Sequence, residues 1–173
     1  MITVVCATHR PKNVTFKVVE KYLQLLQQRG EDCQLLEMAE LPKNFLFEDS
    51  FGKRTQATDQ LIADKILPAD RLVIVSPEYN GSYPGVLKAF FDAVKPHIWK
   101  AKKVALVGVA SGRAGNIRGM DHLTHVLHHL RMEVFSNKVP ISKIEGLLNE
   151  EGELVDEETI AVLQKQIDEF LRY

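Results

Sequence analysis

At 173 residues, with 45% apolar and 26% charged side chains, the chain is long enough to bury a substantial core, and one domain over 1–173 is expected. A net charge of -1 excludes a global basic field of the kind that nucleic acid or an anionic membrane would select, and no apolar run is long enough to span a bilayer. Met1 leads directly into Ile2-Thr3-Val4-Val5 with no basic leader, so a cytoplasmic protein is expected, with Cys6 and Cys33 as two reduced, buried thiols.

Residues 2–7 form the first apolar run, whose β-branched content predicts a strand buried on both faces. Over 15–29, Val18, Tyr22, Leu25 and Leu26 recur at helical spacing, with Gly30 placed as the residue that ends the helix. A second strand is expected over 33–38, and the mixed segment 39–54 reads as a long loop. A helix over 55–66 stops before Pro68. The third strand covers 71–76 and the third helix 84–94, with Pro84 suited to its first turn. Residues 103–110 read as strand four, followed by a helix through His122, Val126 and Leu130. Strand five is expected over 133–139, then an irregular stretch over 141–155. The last helix is capped by Asp156 and carries Ile160, Leu163, Ile167 and Leu171 on one face.

Strands alternating with helices predict an α/β protein: a five-stranded parallel sheet covered by helices on both faces, in the flavodoxin-like order 2-1-3-4-5. In that order strands one, three and four are neighbours, and their C-terminal ends open on one crevice. The loops leaving those ends are the most polar in the chain. The first, 7–15, presents Thr8, Arg10, Asn13 and Thr15 before a helix N-terminus, a donor set suited to a phosphomonoester. The same residues also read as a capped helix start with a solvated Arg10. The loop is neither a Walker A loop nor G-x-G-x-x-G, which disfavours a nucleoside triphosphate or a standard dinucleotide site.

The second loop runs Pro77-Glu78-Tyr79-Asn80-Gly81-Ser82, and its backbone donors suit the edge of a flat polar ring; its plain alternative is an elaborate turn. The third presents Ser111, Gly112 and Arg113, which close over the other ring edge or form a flexible βα loop with a solvated arginine. His122, His125, His128 and His129 crowd one helix. His125 and His129 have i,i+4 spacing, but with no third ligand or general base beside them no metal is assigned. Trp99 and Phe90-Phe91 read as core or interface.

Residues 77–82, followed by Pro84-Gly85-Val86-Leu87-Lys88, resemble the signature of the NADPH-dependent FMN reductase family, which includes quinone, azo-dye and chromate reductases. The first loop is similar to that family's phosphate loop, with Ala7 in place of its usual glycine and Thr8, Arg10, Asn13 and Thr15 at its polar positions. Residues 111–115 are similar to its third flavin loop. The resemblance implies a flavodoxin-like fold, non-covalent FMN, NADPH or NADH as donor, and a homodimer or homotetramer. It also implies ping-pong, two-electron reduction of flavin, quinone, azo or similar small-molecule acceptors. The chemistry then belongs to FMN, and no protein residue is assigned as catalytic. Rival readings are an FMN-binding electron carrier and a redox-sensing interaction protein with little turnover. Lys12, Arg113 and Arg118 are candidates for contact with a 2′-phosphate on the donor.

Overall fold

The structure is a computed structural model that describes residues 1–50 and 54–173. Its elements in order are β1 (Ile2–Cys6), α1 (Thr15–Gln28), β2 (Cys33–Glu37), α2 (Phe45–Glu48), α3 (Gln56–Lys65), β3 (Arg71–Pro77), α4 (Gly85–Ala93), α5 (Pro96–Trp99), β4 (Lys103–Val109), α6 (Ile117–His129), β5 (Glu133–Val134), β6 (Val139–Ile141) and α7 (Glu157–Arg172). The parallel sheet runs β2-β1-β3-β4-β5, the expected order, and β6 joins it on β4. Among the described residues no helix is long and apolar enough to cross a membrane.

Alternation along the central strands sends successive residues into two separate cores. Val4, Val73, Val75 and Val107 meet Val18, Tyr22, Leu26, Leu163, Ile167 and Phe170 of α1 and α7. Val5, Leu72, Ile74 and Leu106 meet Ile62, Leu87, Phe90, Leu123 and Leu127 of α3, α4 and α6 on the other face. Phe90 and Phe91 pack edge-on to the buried Trp99, with ring centroids 6.0 and 5.0 Å away.

The helix ends follow local chemistry. Gly30 has φ +75°, and its N–H bonds back to the Gln27 carbonyl at 2.9 Å. The Asp156 carboxylate accepts from the Thr159 N–H at 2.8 Å and starts α7. Thr55 caps α3, whose buried neighbour Asp49 accepts bonds from the Thr55 N–H and from the Thr58 hydroxyl at 3.0 Å.

Two expectations need correction. The fifth strand is split: β5 pairs with the start of β4 and β6 with its end. Between them the ladder is completed by a side chain. Buried Gln166 of α7 donates to the Leu106 carbonyl at 3.0 Å and the Asn137 carbonyl at 2.7 Å, and accepts from the Tyr22 hydroxyl at 3.0 Å. The segment 39–54 is not a plain loop. A 3-10 turn, Met38–Glu40, leads to α2, which is anchored by buried Phe45 against Phe90. The part of that segment over 51–53 lies outside the described residues.

Candidate active site

The register fixes where the polar loops meet. Cys6 lies beside Val75, and Pro77 lies beside Val109, so β1, β3 and β4 end together. The Ala7 N–H still bonds to the Val75 carbonyl at 3.0 Å, and the chains then diverge around a cavity of about 260 Å³. Arg10, Asn13 and Thr15 line it from the first loop, Pro77, Glu78 and Tyr79 from the second, and Ser111 from the third. Thr8 stands behind this wall, fully buried, with its hydroxyl 2.7 Å from that of Tyr79.

The first loop is built as an anion cradle. Asn13 shapes it: its Oδ1 accepts from the Phe16 N–H at 2.9 Å, and its Nδ2 donates to the Arg10 carbonyl at 2.9 Å. Lys12 adopts φ +52°, turning the backbone into a concave nest. Among the described residues no group accepts from the N–H of Lys12, Asn13, Val14 or Thr15. These donors and the positive end of the 14-residue α1 dipole face the cavity that Arg10 lines.

The second loop spends most of its backbone on itself. Glu78 N–H bonds to the Val109 carbonyl at 2.9 Å, Tyr79 N–H to Ser82 at 2.8 Å, and Ser82 N–H to Tyr79 at 3.0 Å. Asn80 and Gly81 occupy φ +51° and +79°, as the centre of a type I′ turn requires. Of the expected backbone donors over 78–82, the N–H groups of Asn80 and Gly81 are therefore the ones left over among the described residues. Asn80 lines an adjoining opening with His9, Arg10 and Tyr79.

Gly81 and Ser82 face α6. The Ser82 hydroxyl is 3.0 Å from His122 Nδ1, and Glu78 pairs with Arg118 at 3.6 Å. One face of α6 thus grips the turn at both ends. Buried Asn116, at φ +63°, begins that helix and donates from Nδ2 to the Ser76 carbonyl at 2.8 Å.

In the third loop, Gly112 and Arg113 are exposed and do not line the cavity; their carbonyls accept from Lys143 N–H at 3.1 Å and Ser142 hydroxyl at 2.6 Å. Sequence reasoning missed two lining groups here, Ile144 and Glu145, because the stretch that follows β6 carries no periodic signal. The Ser111 hydroxyl donates to Glu145 Oε1 at 2.5 Å, and this bond holds the carboxyl below its usual range.

The donor set fits a flavin mononucleotide: a nest and an arginine for a phosphate, then a stiff turn with free N–H groups for a flat ring. A sequence profile of NADPH-dependent FMN reductases matches residues 1–146. The chain belongs to the NADPH-dependent FMN reductase family. As a member it is an FMN-dependent NAD(P)H oxidoreductase acting on a small-molecule acceptor. Among its relatives, the 2-hydroxy-1,4-benzoquinone reductase of a Burkholderia species is 33% identical over 129 residues, covering 72% of this chain and 68% of that protein. The NAD(P)H-dependent FMN reductase PA1204 of Pseudomonas aeruginosa is 29% identical over 142 residues, covering 80% and 76%. Among solved structures, the flavoenzyme NAD(P)H:(acceptor) oxidoreductase FerB of Paracoccus denitrificans superposes with a TM-score of 0.80 at 26% identity, covering 99% of this chain and 95% of that one.

Proposed function

We propose that this reductase holds FMN non-covalently in the crevice between its three loops and uses NADPH or NADH to reduce quinone, azo or flavin acceptors. The carrying observation is the anion cradle: the N–H groups of Lys12 to Thr15, leading into α1 and without acceptors among the described residues, open on the cavity that Arg10 lines. There Arg10 and the N–H groups of Lys12 to Thr15 bind the phosphate, while Thr8 and Asn13 hold the loop in shape. Pro77, Glu78, Tyr79 and Asn80 form one wall for the ring, and the N–H groups of Asn80 and Gly81, without acceptors among the described residues, supply its donors. Ser111 forms the other wall, with Glu145 beside it. When bound, FMN supplies two-electron chemistry, taking an electron pair from the nicotinamide donor and giving it to the acceptor in a separate encounter. The protein's part is to bind, orient and keep donors aimed at a ring that gains negative charge.

The two unpaired cysteines, Cys6 and Cys33, support a reducing, cytoplasmic compartment. The family resemblance supports a homodimer or homotetramer. The reductase reading is favoured over a carrier or sensor by relatives named as reductases.

Paired titrations with FMN and riboflavin test the cradle. FMN binds far more tightly than riboflavin in the wild type, and Arg10→Ala narrows that gap by about tenfold, because charge-assisted bonds are roughly twice as strong as neutral ones. Equal affinity for the two flavins in the wild type contradicts the assignment.

A further inference from the structure

The first and third loops leave β1 and β4, on either side of β3, and close the crevice from its two flanks. The first brings positive charge. The third brings the opposite sign, which a phosphate site alone does not call for. Two carboxylates line the cavity, those of Glu78 and Glu145. Glu78 is turned to Arg118 at 3.6 Å. Glu145 has Ser111 as its one side-chain partner among the described residues, at 2.5 Å. That bond holds its carboxyl below the usual range, so the group is fully ionised at neutral pH.

The position of Glu145 is built, although its side chain is exposed. Lys143, at φ +50°, turns the chain from β6 into a 3-10 turn over Ile144–Leu147. Ile144 is 2% exposed and belongs to the core that packs on α1 and α7. Its N–H bonds to the Ala110 carbonyl at 3.3 Å, and the Lys143 N–H bonds to the Gly112 carbonyl at 3.1 Å. The Ser142 hydroxyl adds a bond to the Arg113 carbonyl at 2.6 Å. Turn and third loop are therefore one braced unit, and it presents Glu145 to the cavity that Arg10 lines.

An ionised carboxylate only accepts hydrogen bonds, and it repels a phosphate. A ligand that satisfies both flanks is anionic at the cradle and carries donors a short way along. In FMN those donors are the hydroxyls of the ribityl chain, which joins the phosphate to the ring. We propose that Glu145, oriented by Ser111, accepts hydrogen bonds from the ribityl hydroxyls and so selects a flavin with a hydroxylated chain. The inference rests on the FMN reading and deepens it: the cradle recognises the phosphate, and Glu145 recognises the chain.

The test measures binding alone, by fluorescence titration, and needs no turnover. It compares FMN with an analogue of the same ring and charge whose phosphate is carried on a plain pentyl chain. The wild type binds FMN more tightly than the analogue, and Glu145→Ala narrows that gap about tenfold, in line with the loss of a charge-assisted hydrogen bond. Glu145→Gln, which keeps a neutral acceptor, narrows it by a smaller factor. Both flavins carry the phosphate, so relief of its repulsion cancels in the comparison. A loosened third loop weakens both alike and leaves the gap unchanged. A gap indifferent to Glu145→Ala, in a protein that still prefers FMN to riboflavin, overturns this inference alone. So does equal affinity of the wild type for FMN and the pentyl analogue. A wild type that binds FMN no more tightly than riboflavin overturns both readings.

Discussion

The hydroxyls of Thr8 and Tyr79 lie 2.7 Å apart and join the first loop to the second across the β1–β3 boundary. Thr8 is also the acceptor for the Arg10 N–H at 3.2 Å, so one buried threonine couples the arginine of the cradle to the ring-binding turn. Removing the phenol breaks that link without emptying the core. Tyr79→Phe should weaken FMN binding about fivefold, the equivalent of roughly 1 kcal/mol for one hydrogen bond, with a small loss of stability. Fluorescence titration of flavin into the two proteins checks it.

The α6 clasp separates two contacts of different worth. Arg118 is largely exposed and 3.6 Å from Glu78, a pair that contributes at most a few tenths of a kcal/mol in water. His122 bonds to Ser82 at 3.0 Å and fixes the far end of the turn. His122→Ala should therefore lower FMN affinity several-fold and Arg118→Ala should hardly change it. Isothermal titration of both variants decides; a larger loss for Arg118→Ala contradicts the ordering.

Gly108 of β4 has no room for a side chain. A Cβ there would stand 2.3 Å from the Gly115 carbonyl oxygen and 2.9 Å from the Met120 methyl. Gly108→Ala should destabilise the fold by about 2 kcal/mol and push the third loop off the sheet end, reducing FMN affinity as well as the unfolding midpoint. Urea denaturation with and without FMN measures both effects.

Alkaline pH should weaken the fold. Burial pushes the Cys6 thiol up to about 12 from an ordinary 9.0, and raises the Tyr22 phenol too. A folded pKa above the unfolded one contributes stability that is complete below the ordinary value and is lost as pH climbs through it towards the folded one. The urea midpoint should fall between pH 8 and pH 11, and Cys6→Ala should flatten part of that slope. The same burial makes native Cys6 slow to react with thiol reagents at pH 8.

Much of this was legible in the residue pattern because the strongest signals are local. The β-branched runs of β1, β3 and β4 needed no tertiary context, and Gly30 and Asp156 marked helix ends by their own chemistry. The loops could be named because order 2-1-3-4-5 forces them to one edge. What stayed hidden depends on distant partners. The break between β5 and β6 is stabilised by Gln166, a residue on the last helix. The short α2 exists because Phe45 docks on Phe90. Glu145 enters the cavity through a turn with no periodicity. The internal hydrogen bonding of the Tyr79–Ser82 turn, which leaves Asn80 and Gly81 as its free donors among the described residues, follows from an Asn-Gly pair at positive φ. An Asn-Gly pair is a signal the chain does carry, and it marks a tight turn.

The central claim is tested most directly by the visible spectrum of the FMN-loaded protein under anaerobic conditions, before and after NADPH. The account predicts flavin absorption that bleaches promptly on adding the donor and returns on adding a quinone. A protein that takes up FMN but is not bleached by NADPH or NADH contradicts it.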